Sequence, residues 1–444
     1  MNTLIGIFLV LGVMILVHEW GHFIVARFFG VRVDVFSIGF GPRLFGFKRG
    51  ATDYRISALP LGGYVRMAGQ DLSEIDSNDV APTGGPDELM SKPRWQRALI
   101  SFAGPVVNLI MPILLLAGFF VIKGLPYPAY LDKPLVLSGL PQTSPLAKVG
   151  VADGDRVLAV NDSTTPTWST VNTYLLQAAS DGIIRFTIDR QGAQRTVEVK
   201  AADIRNADRA LGNLPVPALV RPVDRGMPAS RAGLQRGDLV VAVNGTPVNN
   251  WYDFYNVIIH SNGQVLNTTV KRNGSEKNLA IHPVYNKDEE GQSAWRIGVA
   301  PEGEWAFKEM TFAASVKEAS DETLGATVKL FGVMGRLFSG KLSVKQLRSF
   351  VGIAALAGQA VEDGPVDVIN MMAMISLNLG ILNLLPIPIL DGGNILLLTM
   401  EGIRRRDFSL AFKERFVQVG LVFLLVFFAY VMYNDVVRLL PIHS

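Results

Sequence analysis

The chain has 444 residues, 49% of them hydrophobic and 18% charged, and its mean hydropathy is +0.28. A soluble protein of this length seldom reaches a positive value, so several membrane spans are expected and one compact soluble domain is not. The net charge of +3 gives no basis for a nucleic-acid partner, and the absence of cysteine excludes disulfides, Fe–S clusters and thiolate metal sites.

Four apolar stretches reach the about 20 residues that a helix needs to cross a hydrocarbon core of about 30 Å. They run from about Leu4 to Phe29, Ala98 to Ile122, Val368 to Leu390 and Val417 to Val437. The first has no basic n-region and no A-x-A-like cleavage site, and its apolar run continues past the polar cluster at 18–22. It is therefore read as a span and not as a signal peptide. Between the first two spans, Val31-Arg32-Val33-Asp34-Val35 alternates at period two, and Lys48 to Asp53 reads as a turn between short strands. This predicts a small membrane-associated β-region over 31–70, followed by a cytoplasmic loop over 71–97 that is acidic and rich in Ser, Asn, Pro and Gly. The second span is assigned to 98–124.

An internal repeat follows. Ser144-Pro145-Leu146-Ala147-Lys148-Val149-Gly150-Val151-Ala152-Asp153-Gly154-Asp155 runs on into Arg156-Val157-Leu158-Ala159-Val160-Asn161. It matches the segment from Met227-Pro228-Ala229-Ser230 through Gly237-Asp238 to Val243-Asn244-Gly245. Each copy reads as a short helix, a Gly-Asp turn, and an apolar strand ending in a second turn. This pattern resembles the PDZ domain in its bacterial strand permutation, and implies tandem domains at 127–208 and 213–302. PDZ domains bind extended peptides by adding a strand to a sheet edge, so peptide binding by these copies is an expectation, with a pair of spacers or filters as the alternative.

Beyond them lies an amphipathic helical region, 310–366. Phe312, Val316, Ala319, Ala326, Leu330, Met334 and Leu337 recur at helical spacing, and the helix is expected either on the membrane surface or packed on the PDZ pair. The third span is assigned to 367–392, a link to 393–415 and the fourth span to 416–438. Lys and Arg are dense at the inner ends of the first two spans (Arg27, Arg32, Arg43, Lys48, Arg49, Lys92, Arg94, Arg97) and in the last link (Arg404, Arg405, Arg406, Lys413, Arg415). Both connections are therefore cytoplasmic, with about 125–365 and both termini outside.

His18-Glu19-Trp20-Gly21-His22 fits H-E-x-x-H. On a helix, positions i and i+4 bring both imidazoles to one face, as two ligands of a tetrahedral zinc require, and Glu19 can reach a metal-bound water as general base. Charged and imidazole groups inside a span are costly unless they pair or hold a metal. A catalytic zinc usually has a third protein ligand. His260 and His282 fall in the second PDZ copy and His443 at the C-terminus, which turns the search to carboxylates near membrane depth. Asp391 stands out, because it follows an apolar run broken by Pro386 and Pro388 and precedes Gly392-Gly393.

With these residues the chain resembles the site-2 protease family of intramembrane metalloproteases. There an H-E-x-x-H helix is completed by the Asp of an N-x-x-P-x-P-x-x-D-G segment, matched here by Asn383, Pro386, Pro388, Asp391 and Gly392. The resemblance extends to Gly39-Phe40-Gly41-Pro42, Pro60-Leu61-Gly62-Gly63-Tyr64-Val65, and Gly104-Pro105 with Asn108. It implies that His18, His22 and Asp391 bind Zn2+ and that Glu19 is the base. Asn383 and Asn378 would hold the substrate backbone or the developing oxyanion, and the segment around Tyr64, with Pro386 and Pro388, would contact substrate. Two departures stand out: Ser349-Phe350 replaces the usual Gly-Pro before the third core helix, and Asn394 replaces a common His.

The expected fold is a multi-domain membrane protein. A four-span α-helical catalytic core carries a small β-region, two α+β, β-rich PDZ domains and an amphipathic helix. The expected function is an intramembrane zinc endopeptidase of a Gram-negative inner membrane, in contact with membrane lipid. It would cut single-pass transmembrane proteins such as an anti-sigma factor, or remnant signal peptides, in regulated intramembrane proteolysis linked to a stress response. The PDZ domains would be periplasmic and the zinc site in the cytoplasmic half. The competing readings are a non-catalytic PDZ-bearing membrane scaffold and a transporter with intramembrane ionisable residues.

Overall fold

A computed structural model describes residues 6–70, 84–161, 163–164, 166–177, 182–206, 210–221, 223, 226–287, 293–340 and 350–439. They form two compact units, Met1–Leu125 with Glu309–His443, and Pro126–Lys308. Residues 71–83 of the expected loop over 71–97 lie outside the described residues, as do Ser349 and His443.

In the first unit a π-helical turn, Ile7–Gly12, leads into α1, Val13–Phe28. Met14, His18, Gly21, His22 and Ala26 form its buried stripe at helical spacing. Gly30, at φ +69°, ends the helix: its N–H donates to the Arg27 carbonyl, while that of Val31 donates to Ala26. This is the paired closure that a left-handed residue allows. Strands β1 (Val33–Arg49) and β2 (Thr52–Met67) follow, joined by a turn at Gly50. They are far longer than the short strands expected, and both fold on themselves. Val33–Ile38 pairs with Gly63–Met67 on one side and with Asp53–Ile56 on the other, while Arg43–Arg49 pairs with Thr52–Ser57. Val31, Val33 and Val35 are buried as their alternation predicts, and Val31 and Val33 pack with Ala26 and Ile100. The 30-residue α2, Arg94–Lys123, contains Pro105 and Pro112 and starts four residues before the expected span.

The second unit holds two modules of one topology. After β3 (Leu125–Pro128), strands β4 (Arg156–Val160), β5 (Ser163–Thr164), β6 (Ile183–Arg190) and β7 (Ala193–Lys200) form a sheet in the order β5-β4-β6-β7, with α3 (Trp168–Gln177) inserted after β5. In the second module β8 (Leu239–Val243), β9 (Thr246–Pro247), β10 (Leu266–Arg272) and β11 (Ser275–Ile281) repeat that order, with α4 (Trp251–Ile259) in the equivalent place. Each sheet closes over its own apolar core, one around Trp168 and Phe186, the other around Phe254 and Val270. The repeated Gly-Asp now has a physical meaning. Asp155 accepts two hydrogen bonds from Arg190 at 2.6 Å and one from the Ala152 N–H at 2.9 Å. Asp238 accepts the same set from Arg272 and the Gln235 N–H. The hairpin β12–β13 (Val284–Lys287, Ser293–Arg296) and β14 (Trp305–Lys308), which pairs with β3, complete the unit.

The chain then returns to the first unit with α5 (Phe312–Phe338), α6 (Phe350–Asp363), α7 (Pro365–Asn383), α8 (Asp391–Arg404) and α9 (Leu410–Leu439). Among the described residues four helices are long and apolar enough to cross a membrane, over Val10–Phe28, Arg94–Lys123, Pro365–Asn383 and Ala411–Tyr433. The third stops at Asn383, seven residues short of the expected Leu390, and Asp391, assigned to the end of that span, opens a separate helix that runs on into the assigned link. The cause is Pro386 and Pro388, each of which lacks a backbone donor. Helix α5 differs from expectation as well. Its buried residues among those described are Ser315, Ala319 and Thr323; Val316 and Ala319 of the expected apolar face pack with Leu116 and Phe120 of α2, whereas Phe312 on that face is 73% exposed. Small residues at spacing four let a helix approach another closely, which outweighs hydrophobicity here. Helix α6 packs Ala357 and Ala360 against Val10, Met14 and Met371.

Candidate metal centre

Helix α1 presents His18 and His22 one turn apart on its buried face, with ring centroids 4.8 Å apart. Helix α2 crosses directly over them because glycines meet there. A Cβ at Gly104 would stand 2.6 Å from His22 Cε1 and 2.8 Å from His18 Cε1, and one at Gly21 2.7 Å from the Ala103 carbonyl oxygen. Such distances leave no room for any side chain at either position.

The far nitrogens of both rings are held by α2. His22 Nδ1 lies 2.7 Å from the Ile100 carbonyl oxygen. A carbonyl only accepts, so Nδ1 carries the proton and Nε2 keeps its lone pair. His18 Nδ1 lies 3.3 Å from the side-chain amide of Asn108, whose oxygen is buried and has no other partner. With that amide turned by half, its oxygen would accept from Nδ1 and hold His18 in the same tautomer.

Asp391 reaches the two free nitrogens from the first turn of α8, with Oδ2 3.2 Å from His18 Nε2 and Oδ1 3.4 Å from His22 Nε2. The nitrogens themselves are 3.3 Å apart. His18, His22 and Asp391 are the group among the described residues whose ligand atoms converge in this way. The two imidazole nitrogens are spaced as neighbouring corners of a tetrahedron with bonds of about 2.0–2.1 Å, which is about 3.3–3.4 Å, and the carboxylate faces both of them, one oxygen toward each. The donor set therefore fits a zinc ion.

The turn that delivers Asp391 is built for close packing. Gly392 and Gly393 lie beneath the carbonyls of Leu384, Leu385 and Ile387. Ile389 has φ +79°, a left-handed conformation for a β-branched residue that costs roughly 1–3 kcal/mol. Asn383, the last residue of α7, brings Nδ2 to 3.1 Å from His18 Nε2. Asn378 lies further back on α7, and no hydrogen bond joins it to the group among the described residues.

Glu19 sits between the two histidines in sequence, against β2. The Val65 backbone amide hydrogen-bonds its carboxylate, and a Cβ on Gly63 would lie 3.5 Å from its Cγ. Tyr64, between them, points to the other face, where its ring stacks on Phe40 and its hydroxyl accepts from Arg55. Pro388 packs against Gly420 of α9, and Pro386 is exposed. Thus the sequence reading named the three converging groups, Glu19 and Asn383. It noted Gly104 and Asn108 without a role, and it missed Ile100, whose carbonyl acts through the backbone and leaves no trace in residue type.

Helices fit to span a bilayer, with an H-E-x-x-H helix closed by an aspartate, define the class of membrane metallopeptidases. The family profile of peptidase family M50 matches residues 6–427. The regulator of sigma-E protease RseP of Escherichia coli is 32% identical over 97% of both chains. The Salmonella typhimurium protein of the same name is 32% identical over 98% of this chain and 99% of its own. A Neisseria meningitidis protein named as a zinc metalloprotease is 29% identical over 99% of this chain and all of its own. The chain belongs to peptidase family M50, the site-2 protease family, and is a protease.

Proposed function

We propose that this protein is an intramembrane zinc endopeptidase in which His18, His22 and Asp391 hold the metal and Glu19 is the general base. The observation that carries the reading is the convergence of the two Nε2 atoms, 3.3 Å apart, on a carboxylate whose two oxygens lie 3.2 Å and 3.4 Å from them. When bound, zinc polarises a water and the scissile carbonyl. Glu19, next to a ligand and steadied by the Val65 amide, accepts the proton of the attacking water and returns it to the leaving nitrogen. Asn383 offers an amide donor beside His18 to the carbonyl oxygen as charge develops on it.

A helical peptide bond is shielded by its own hydrogen bonds, so the substrate must be unwound before attack. The backbone of Gly63–Met67 lies along Glu19 and pairs with β1 on one side, which suits it to receive an extended peptide as an added strand. The substrates are single-pass transmembrane proteins, an anti-sigma factor among them, or remnant signal peptides. Relatives named as regulators of sigma-E support this choice. Those relatives also favour the inner membrane of a Gram-negative bacterium. The two equivalent modules of the second unit are PDZ domains, periplasmic by the distribution of Lys and Arg, and screen substrates by their extracytoplasmic part.

The test is purified wild-type protein against Glu19→Gln, with a single-pass substrate and zinc analysis. The variant is expected to keep its zinc and to lose at least about a hundredfold in cleavage rate. Cleavage at the wild-type rate would overturn the mechanism.

A further inference from the structure

Glu401, on α8 three turns beyond Asp391, is fully buried. Its Oε1 accepts hydrogen bonds from the Phe408 backbone N–H at 2.9 Å and from Lys413 Nζ of α9 at 3.2 Å, while Oε2 is buried with no hydrogen-bond partner. A carboxylate so placed is held against a large desolvation penalty by one lysine and one amide. None of the chemistry above uses it. Two turns further along α9, Gly420 meets the loop that leads to Asp391: a Cβ there would stand 2.5 Å from the Pro388 carbonyl oxygen. Residues seven apart share one helix face, so the same face of α9 grips α8 at Glu401 and the loop at Pro388. A second ion pair, Arg94 Nη2 to Asp407 Oδ1 at 2.6 Å, ties the α8–α9 turn to the start of α2, the helix that holds both histidines.

We propose that the Glu401–Lys413 pair is a positioning device that fixes the register of α8, and through it the place of the Asp391 carboxylate. The inference rests on Asp391 being a metal ligand, as argued above. A helix free to slip by one residue moves about 1.5 Å and turns by about 100°. Either motion removes a carboxylate from a ligand position that tolerates about 0.2 Å. The loop before Asp391 grips only the first turn of α8, through Gly392 and Gly393, and it carries two prolines without a backbone donor and the strained Ile389. Glu401 supplies a second grip at the other end of the helix.

The experiment uses the full-length protein in detergent, comparing Glu401→Gln, Lys413→Met, Lys413→Arg and the double variant Glu401→Gln/Lys413→Met. Thermal unfolding, zinc loss to a chelator, and kcat and KM for a single-pass substrate at saturating zinc are measured for each. Each single neutralisation is expected to speed zinc loss and lower kcat by about tenfold or more, with KM changed much less, and Lys413→Arg to recover most of both. Because removal of both charges leaves no buried ion unpaired, the double variant is expected to fold even where a single one does not. It should still lose zinc faster and turn over more slowly. A folded double variant with zinc retention and kcat within about twofold of wild type would overturn the proposal. A wild-type protein that cleaves without zinc would instead sink the metal-centre reading on which it rests.

Discussion

Gly104 carries no side chain where α2 lies across the rings of His18 and His22, and the contact is too tight for a methyl group. Gly104→Ala must therefore push the two helices apart or swing His22 from its hydrogen bond to Ile100. Either way the Nε2 atoms leave their 3.3 Å spacing. The variant is expected to lose about 10- to 100-fold in zinc affinity, read by competition with a chelator. An unchanged affinity would mean that α2 yields without disturbing the rings. At this scale the sequence was informative wherever chemistry is local. His18, Glu19 and His22 lie within two helical turns, and helical periodicity alone puts both rings on one face. Gly104 was visible as part of a resemblance but without a role, since nothing local says which neighbour needs its space.

Elements were legible by their apolar periodicity, and their ends by turn chemistry, with two informative failures. A continuous apolar count carried the third span through Leu390, although Pro386 and Pro388 stop α7 at Asn383 and leave Asp391 to start α8. The curled β1–β2 pair was read as short strands, because strand length depends on partners that no single segment reveals. The Gly-Asp signature of the repeat is the clearer success, since Asp155 and Asp238 each bind an arginine across their module. The Arg190 guanidinium holds the Asp155 carboxyl below its ordinary value of 3.8. A carboxyl depressed on folding contributes stability that is fully present above the unfolded value and is lost as pH falls through the folded one. The first module is thus expected to loosen below about pH 4, seen as faster amide exchange along β6, and Asp155→Asn should flatten that acid response. Equal acid sensitivity in the variant would assign the effect to other carboxylates.

At the scale of the whole molecule the two units answer to different constraints. The first buries polar chemistry among helices fit to span a bilayer, and the second builds two separate β-rich cores. If the modules act as a filter, removing 128–300 should allow cleavage of substrates whose extracytoplasmic part is intact. Selectivity identical to wild type in cells would count against that role. Composition announced this division early, because positive mean hydropathy and a duplicated soluble-type motif cannot belong to one core.

The proposed metal group draws His18 and His22 from the first helix and Asp391 from a late one. During synthesis at about 5–20 residues per second, about 20 to 70 s separate the emergence of His22 from that of Asp391. A growing chain therefore carries two of its ligands into the membrane long before the third exists. Proteolytic competence arrives only once the last helices have docked, so the protease is born inert among the newly inserted proteins around it.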